Sequence, residues 1–504
     1  MPDQKEPNEG DENRTNGPVA GHVPGPPAQL PQPSLGDTPG LRVSFLSGNE
    51  QNCGFWIPSD HALAASSNYE LQVLNACIYV FNNSGTVLKG PVNLATFFGA
   101  PDDAVGDPRA LFDWRNSRFI IVAEDFTANN ILVAATKNSD PTGGWWIYTI
   151  SANAGGLTGN ADFPMIGQTV REDGDSNYGG LYISWDRFIS GGFNDDVVWI
   201  LPKEQIYAGG GFSFHYFYNL KLDGRTVDHV QPADVMNRGD QPRAEFLVNT
   251  EDFNFNCSSG SPCNGLVVWA IYYGVPPAGQ SPTLTGSYVG TANNYVYPVT
   301  ATQPGNPSGT ECAINTGTAG ISSQVYWSAG DLYLTSSTAA LNGEAADGFL
   351  YWQVHPYLTN LSPAAMNGST IRNEVCWGCD GFGGDGTGSE YYSAVQPTEE
   401  GDITVVFNFS SSSVYPSTGY LSSRTTEAAG SFPDDGAYLV AGDAAYCQLD
   451  NIGRNRWGDY TATAPYGSIR GLTPTFWFAG QYSESNGDWG TAIGQTAFTA
   501  VAQP

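Results

Sequence analysis

The densest group of chemically capable side chains is Arg454-Asn-Arg-Trp-Gly-Asp-Tyr460, in a chain with few arginines. A guanidinium meets a carboxylate in a planar, two-pronged contact. The segment therefore has two uses. It can lock one part of the fold to another through an ion pair and a ring, which is the expected role. Alternatively, Arg454, Arg456, Asp459 and Tyr460 can face a ligand in a central pocket.

Oxygen ligands are arranged differently in Asp173-Gly-Asp-Ser-Asn-Tyr-Gly179, where Asp173, Asp175 and Asn177 alternate within a glycine-containing turn. Calcium takes such oxygens, so Ca2+ is the cofactor this chain suggests. The fit to a helix–loop–helix calcium loop is incomplete. Glycine falls at the seventh rather than the sixth position, and Ser184 stands where a closing glutamate belongs. A solvated turn held by side-chain-to-backbone bonds explains the same residues. Asp380 to Glu390 forms a second acidic glycine loop.

Nucleophile elbows, phosphate-binding loops, dinucleotide fingerprints and zinc-protease motifs are missing from the sequence. The five histidines (His22, His61, His215, His229 and His355) are widely spaced. Satisfied strand or loop histidines account for them more simply than a metal centre does.

These residues must be held by something large. At 504 residues the chain is either several domains or a repeat architecture. The net charge of -30 opposes phosphate backbones and anionic membranes, so nucleic acid is not an expected partner. No 18-residue apolar run is present, so no transmembrane helix is expected. Eight cysteines suggest disulfides in an oxidising compartment. Cys257 and Cys263 are expected to pair locally. Cys376 and Cys379 have redox-motif spacing without the surrounding strand–helix–strand pattern, and they can pair with each other or elsewhere. Six N-glycosylation sequons begin at Asn13, Asn82, Asn256, Asn360, Asn367 and Asn408, which would make the chain a glycoprotein if they are used.

Residues 1–40 are polar, acidic and proline-rich and read as a flexible tail. No apolar signal segment opens them, so either an export signal has been removed or secretion is the wrong inference. From Leu41 onward short aromatic and β-branched runs recur between Gly, Asn, Asp and Pro. Only Asp60 to Ala65 and Leu94 to Phe98 look capable of helical turns. The expected fold is all-β: a single large β-propeller over residues 41–504, seven-bladed, with long inter-strand loops such as Gly274 to Asn294 and Gly381 to Ser389. The adjacent pairs Trp145-Trp146, Tyr272-Tyr273 and Tyr391-Tyr392 are read as blade core, with a surface stacking role as the alternative.

Several motifs occur in a telling order: Asp107-Pro, Phe112-Asp-Trp and Arg118-Phe; then Ser139-Asp-Pro-Thr-Gly-Gly-Trp; then Asp162-Phe-Pro; then Gly180-Leu-Tyr-Ile-Ser. Arg456-Trp-Gly-Asp-Tyr460 and Phe476-Trp-Phe-Ala-Gly follow near the end. Together these resemble a family of large, secreted, sialidase-like β-propeller proteins, most of them without a known function. The resemblance implies a propeller fold and an extracellular setting, and it brings no reaction with it. Sialidase-type hydrolysis would need an arginine cluster, a tyrosine nucleophile with its glutamate, and an aspartate acid/base, and no local motif assembles them. Ser483-Glu-Ser-Asn-Gly-Asp-Trp489 is a degenerate structural turn of the Asp-box kind. The motifs around Asp107 and Ser139 are accordingly read as turns and packing residues, not as chemistry.

The sequence thus leads to an extracellular, non-catalytic binding or surface-assembly protein. Its expected ligand is a glycan or another extracellular protein, with self-assembly also open. The alternative is a glycan-processing hydrolase or lyase with a central-channel active site.

Overall fold

The computed structural model describes residues 38–101, 104–170, 179–236, 242–251, 257–276, 279–340, 346–361, 364–379, 388–466 and 475–498. The expected tail lies almost wholly outside them. So do Asp173, Asp175 and Asn177, and nearly all of the second acidic loop.

The described residues are dominated by strands. Seven four-stranded antiparallel groups follow one another along the chain. Their first strands are Ala62–Ala65, Val105–Asp113, Asn160–Gln168, Gln231–Val235, Val325–Ser328, Ser389–Pro397 and Ala462–Tyr466. The last group is completed by the N-terminal strand Val43–Asn49, which pairs antiparallel with Trp489–Thr496 and sets Phe45 opposite Ile493. First strands of neighbouring groups touch in a closed cycle, the seventh returning to the first, and the fifth group meets the sixth chiefly through its second strand. Two of these meetings are parallel strand pairs, Gln168 with Asp234 and Asp234 with Tyr326.

Burial explains why the strand runs lack clean polar alternation. A separate apolar core fills each gap between consecutive sheets. Phe119, Ile121 and Ala123 face the core shared with the first sheet, while Ile120 and Val122, on the same strand, face the core shared with the third. Successive side chains point to opposite faces, so a sheet packed on both sides reads as a continuous apolar run.

Of the two stretches expected to form helical turns, the structure bears out one. Leu94–Phe98 is a short helix, with the Asn93 side chain accepting from Thr96 N and Gly99 closing it in the left-handed region. Ala62–Ala65, by contrast, is a buried strand. Alanine favours helix intrinsically, but pairing with Glu70–Leu74 and burial at the ring decide the matter. The expected loop at Gly274 to Asn294 contains a long strand, Thr283–Tyr295, which pairs with Cys263–Tyr272 as the fourth sheet's outer member.

All eight cysteines form disulfides: Cys53–Cys77, Cys257–Cys263, Cys312–Cys447 and Cys376–Cys379. Asn408 is buried and donates to Tyr392 O and Thr461 Oγ1. A glycan on that sequon is incompatible with this packing. No helix among the described residues is long and apolar enough to cross a membrane.

Candidate ligand site at one end of the strand ring

The side chains that converge come from where the first strands begin. Asp60, Asp107, Phe163, His229 and Tyr392 each stand at or just before a first strand, and each has a positive φ, between 34° and 56°. Non-glycine residues avoid this region because Cβ crowds the backbone. In three of the strands the ladder slips beside that residue, at Gly106/Arg109, Asp162/Met165 and Tyr391/Ala394. A bulge of this kind re-aims a side chain, here at one common end of the ring.

Tyr460, buried just before the seventh group's first strand, meets several of these residues. Its ring stacks on Phe163 with centroids 4.9 Å apart, and the Arg109 guanidinium lies 4.4 Å from its centroid. Tyr460 Oη donates to Asp107 Oδ2 at 3.3 Å. Phe163 in turn meets His229 edge-on at 4.6 Å. Arg109 is only 5% exposed and donates to the Ser322 carbonyl. Among the described residues no carboxylate lies within ion-pair distance of it. Burial lowers its pKa, and nearby Tyr460, Tyr326, Asp107 and Asp60 oppose that shift.

The segment singled out in sequence forms the adjoining wall. Arg456 is ion-paired with Asp459, both buried, and the Asp459 N–H donates to Asp60 Oδ1 at 2.7 Å. The other Asp60 oxygen accepts from Asn75 at 2.7 Å. Arg454 is held by Asp450 at 2.7 Å within a turn. Arg454, Arg456, Asp459 and Tyr460 are therefore brought together, although Tyr460 lies behind the pocket surface and not on it.

A long excursion between the fourth and fifth sheets supplies the opposite wall. Its residues Ile314 and Asn315 pair in parallel with Asn455 and Arg456. The Cys312–Cys447 disulfide and the bonds from Asn455 Nδ2 to Cys312 O and Tyr446 O pin it there. Between the walls lies a narrow pocket with a cavity volume of about 30 Å³, room for one water-sized group. Phe163, His229, Asn315, Thr318, Tyr392 and Arg456 line it, together with Tyr297, Gly317, Ser322, Arg454 and Asp459. Tyr392 Oη is buried and has no hydrogen-bond partner among the described residues. Burial, with Asp459 next, pushes its pKa up, so the phenol stays protonated.

Two acidic groups lie deeper. Asp107, Glu124 and Asp162 are buried with one oxygen of each within 4.8 Å of the others, an arrangement that could hold a hard cation or share protons. Behind His229, Asp186 faces Asp196 across a strand pair. Burial first, then the charge of Asp186, holds the Asp196 pKa well above the ordinary carboxylate range.

Sequence reading missed Arg109, Asp107 and Phe163 as site residues. All three sit in Asp-Pro-Arg and Asp-Phe-Pro segments that were read as turns. The signal was the recurrence of an acidic or aromatic residue just before proline at the start of a strand.

Comparison with known proteins adds little to this geometry. No family profile matches the chain, and no curated protein matches it in sequence. Solved structures that align with it include a protein of unknown function from Dyadobacter fermentans (8% identity, 78% of this chain and 94% of that one, TM-score 0.36). An exo-β-1,3-galactanase from Clostridium thermocellum aligns at 11% identity over 75% of this chain and 78% of its own, with a TM-score of 0.31. A Trypanosoma rangeli sialidase in complex with 2,3-difluorosialic acid aligns at 7% identity over 84% and 56%, with a TM-score of 0.33. Likeness at these scores assigns neither fold nor activity, and the architecture rests on the strand contacts.

Proposed function

We propose that the chain is a seven-bladed β-propeller that works outside the cell as a non-catalytic binding protein. Its ligand is hydroxyl-rich and bears an acidic group, as a sugar acid or an acidic glycan does, and it binds at the pocket beside Tyr460. Seven sheets with touching first strands and a last sheet closed by the N-terminal strand support the propeller reading. Four disulfides support an oxidising setting.

The observation that carries the ligand reading is Arg109. A buried guanidinium without a carboxylate partner is costly, and in so acidic a chain a partner would be easy to supply. Arg109 lies behind the lining and bonds the carbonyl of Ser322, which does line the pocket, so an anion held against Ser322 relieves that cost through the field of the guanidinium. Hydroxyl and amide groups of Thr318, Ser322, Asn315 and Tyr392 suit one polar substituent of a sugar reaching into this narrow opening while the rest lies over its mouth.

Binding without turnover is favoured because glycoside hydrolysis ordinarily needs two carboxyl groups set across the sugar. Asp459 is the one carboxylate among the described lining residues, and Arg456 holds it. The hydrolase reading draws on the buried Asp107, Glu124 and Asp162 below, which would have to be uncovered to act. A glycan array run beside hydrolysis assays separates the two. Retention of acidic glycans without product is the expected result. Turnover of a retained glycan would transfer the site to the hydrolase class.

A further inference from the structure

Tyr392 stands in the lining of the pocket beside Tyr460 with a hydroxyl that nothing satisfies. The residue is 4% exposed, and its Oη has no hydrogen-bond partner among the described residues. A buried hydroxyl left unbonded is costly, and phenylalanine would fill the same space without that cost. Burial holds the phenol well above the ordinary tyrosine pKa, so at neutral pH it can donate.

The fold fixes this phenol from several sides. Its backbone sits at a φ of 46°, where the ladder of the sixth sheet slips between Tyr391 and Ala394. Tyr392 N donates to Ser337 Oγ of the fifth sheet at 3.1 Å, and Asn408 Nδ2 donates to Tyr392 O at 3.3 Å. The Tyr391 ring meets it edge-on, with centroids 6.0 Å apart. On the facing wall Gly317 has a φ of 79°, and a Cβ there would come within 2.9 Å of Tyr392 Oη. Only glycine both takes that backbone and leaves the hydroxyl its place. The pocket admits one water-sized group, the size of a single oxygen.

We infer that Tyr392 is a specificity-determining residue, its hydroxyl donating to an oxygen of the ligand's own carboxyl group. This role rests on the acidic-ligand reading of the same pocket and adds a directional contact to it. Arg109 acts on the charge of that carboxyl from behind Ser322, whereas Tyr392 acts on its oxygen. The two are separable, because a methyl ester keeps the acceptor oxygen and loses the charge.

The test is calorimetric titration of the intact parent and of Tyr392→Phe with the carboxyl-bearing glycan best retained on the array. Three forms are used: the free acid, its methyl ester, and the counterpart with a methyl group in place of the carboxyl. Tyr392→Phe should weaken acid and ester alike by about fivefold, the scale of one net hydrogen bond, and keep the parent's ratio between them. The methyl counterpart offers no acceptor and should bind both proteins equally. The melting temperature should not fall, because the lost hydroxyl has no partner to leave behind. Unchanged affinity of Tyr392→Phe for acid and ester would overturn the role of Tyr392 and leave the acidic-ligand reading standing. Equal weakening of the methyl counterpart would also overturn it, by making Tyr392 a packing residue. Equal affinity of the parent for acid and ester would overturn the role of Arg109 alone, since the ester still reports on Tyr392. An array that retains no carboxyl-bearing glycan would overturn both.

Discussion

The backbone N–H of Asp459 donates to Asp60 Oδ1 at 2.7 Å, across 399 residues of sequence. It joins the start of the first sheet to the start of the seventh at the point where the candidate ligand site is built. Arg456 holds the Asp459 side chain, so one ion pair serves ring closure and one wall of the pocket together. Removing either partner from a buried pair typically costs about 3–5 kcal/mol. Arg456→Met should therefore lower the denaturation midpoint clearly, and Arg456→Met with Asp459→Leu should recover much of that loss. Equal midpoints for the single and double variants would show that the pair is not coupled.

Arg109 behaves oppositely. With no carboxylate in ion-pair reach among the described residues, its charge opposes folding more than it supports it. Arg109→Met should leave the melting temperature unchanged or raise it while the preference for an acidic ligand is lost. A fall of several degrees would mean that Arg109 is a structural residue.

The Cys312–Cys447 disulfide closes a separation of 135 residues, against 6 for Cys257–Cys263. Loop-entropy reasoning gives roughly 5 kcal/mol for the first and roughly 2 for the second. Replacing Cys312 and Cys447 by serine should thus destabilise more than replacing the short pair. It should also weaken ligand binding, because Asn315 and Thr318 lose their anchor. Denaturant titration beside a binding assay reads both effects.

Glu70 is fully buried, and neither of its side-chain oxygens has a hydrogen-bond partner among the described residues. Burial raises its pKa to about 8. The unfolded carboxyl ionises near its ordinary value, so between there and pH 8 the folded state binds the extra proton. Stability contributed by this group therefore falls as pH rises across that window. Glu70→Gln should remove that slope and be more stable than the parent at pH 8 by a few kcal/mol, with a smaller gap at pH 5. Parallel stability profiles for the two proteins would contradict the assignment.

Calcium is proposed on sequence alone for Asp173, Asp175 and Asn177, and it should raise the melting temperature of the intact chain. Asp173→Asn with Asp175→Asn should remove the rise. If the parent does not shift on calcium addition, these residues form a turn and nothing more.

The all-β character was legible because Val, Ile, Tyr, Phe and Trp cluster in short runs between Gly, Pro and Asp. Arg118–Asp125 shows why, its successive residues entering two different cores. The ion-paired segment at 454–460 was legible too, since its charges pair within four residues. Arg109 and Phe163 were hidden because nothing local makes them special. Their roles arise when bulged strands more than 50 residues apart aim them at Tyr460. Ala62–Ala65 was hidden for a related reason, its strand state being set by neighbours and not by its own propensity.

The central claim is that the charge of Arg109, set behind the lining at Ser322, draws an acidic sugar to the pocket beside Tyr460. The most direct measurement is calorimetric titration of the parent protein and Arg109→Met with the best acidic glycan from the array, as the free acid and as its methyl ester. The account predicts that the parent prefers the acid by about fivefold or more, the scale of a nearby charge in a partly desolvated site, and that Arg109→Met, still folded, loses this preference. Equal affinity for acid and ester, or an Arg109→Met protein that keeps the preference, would contradict it.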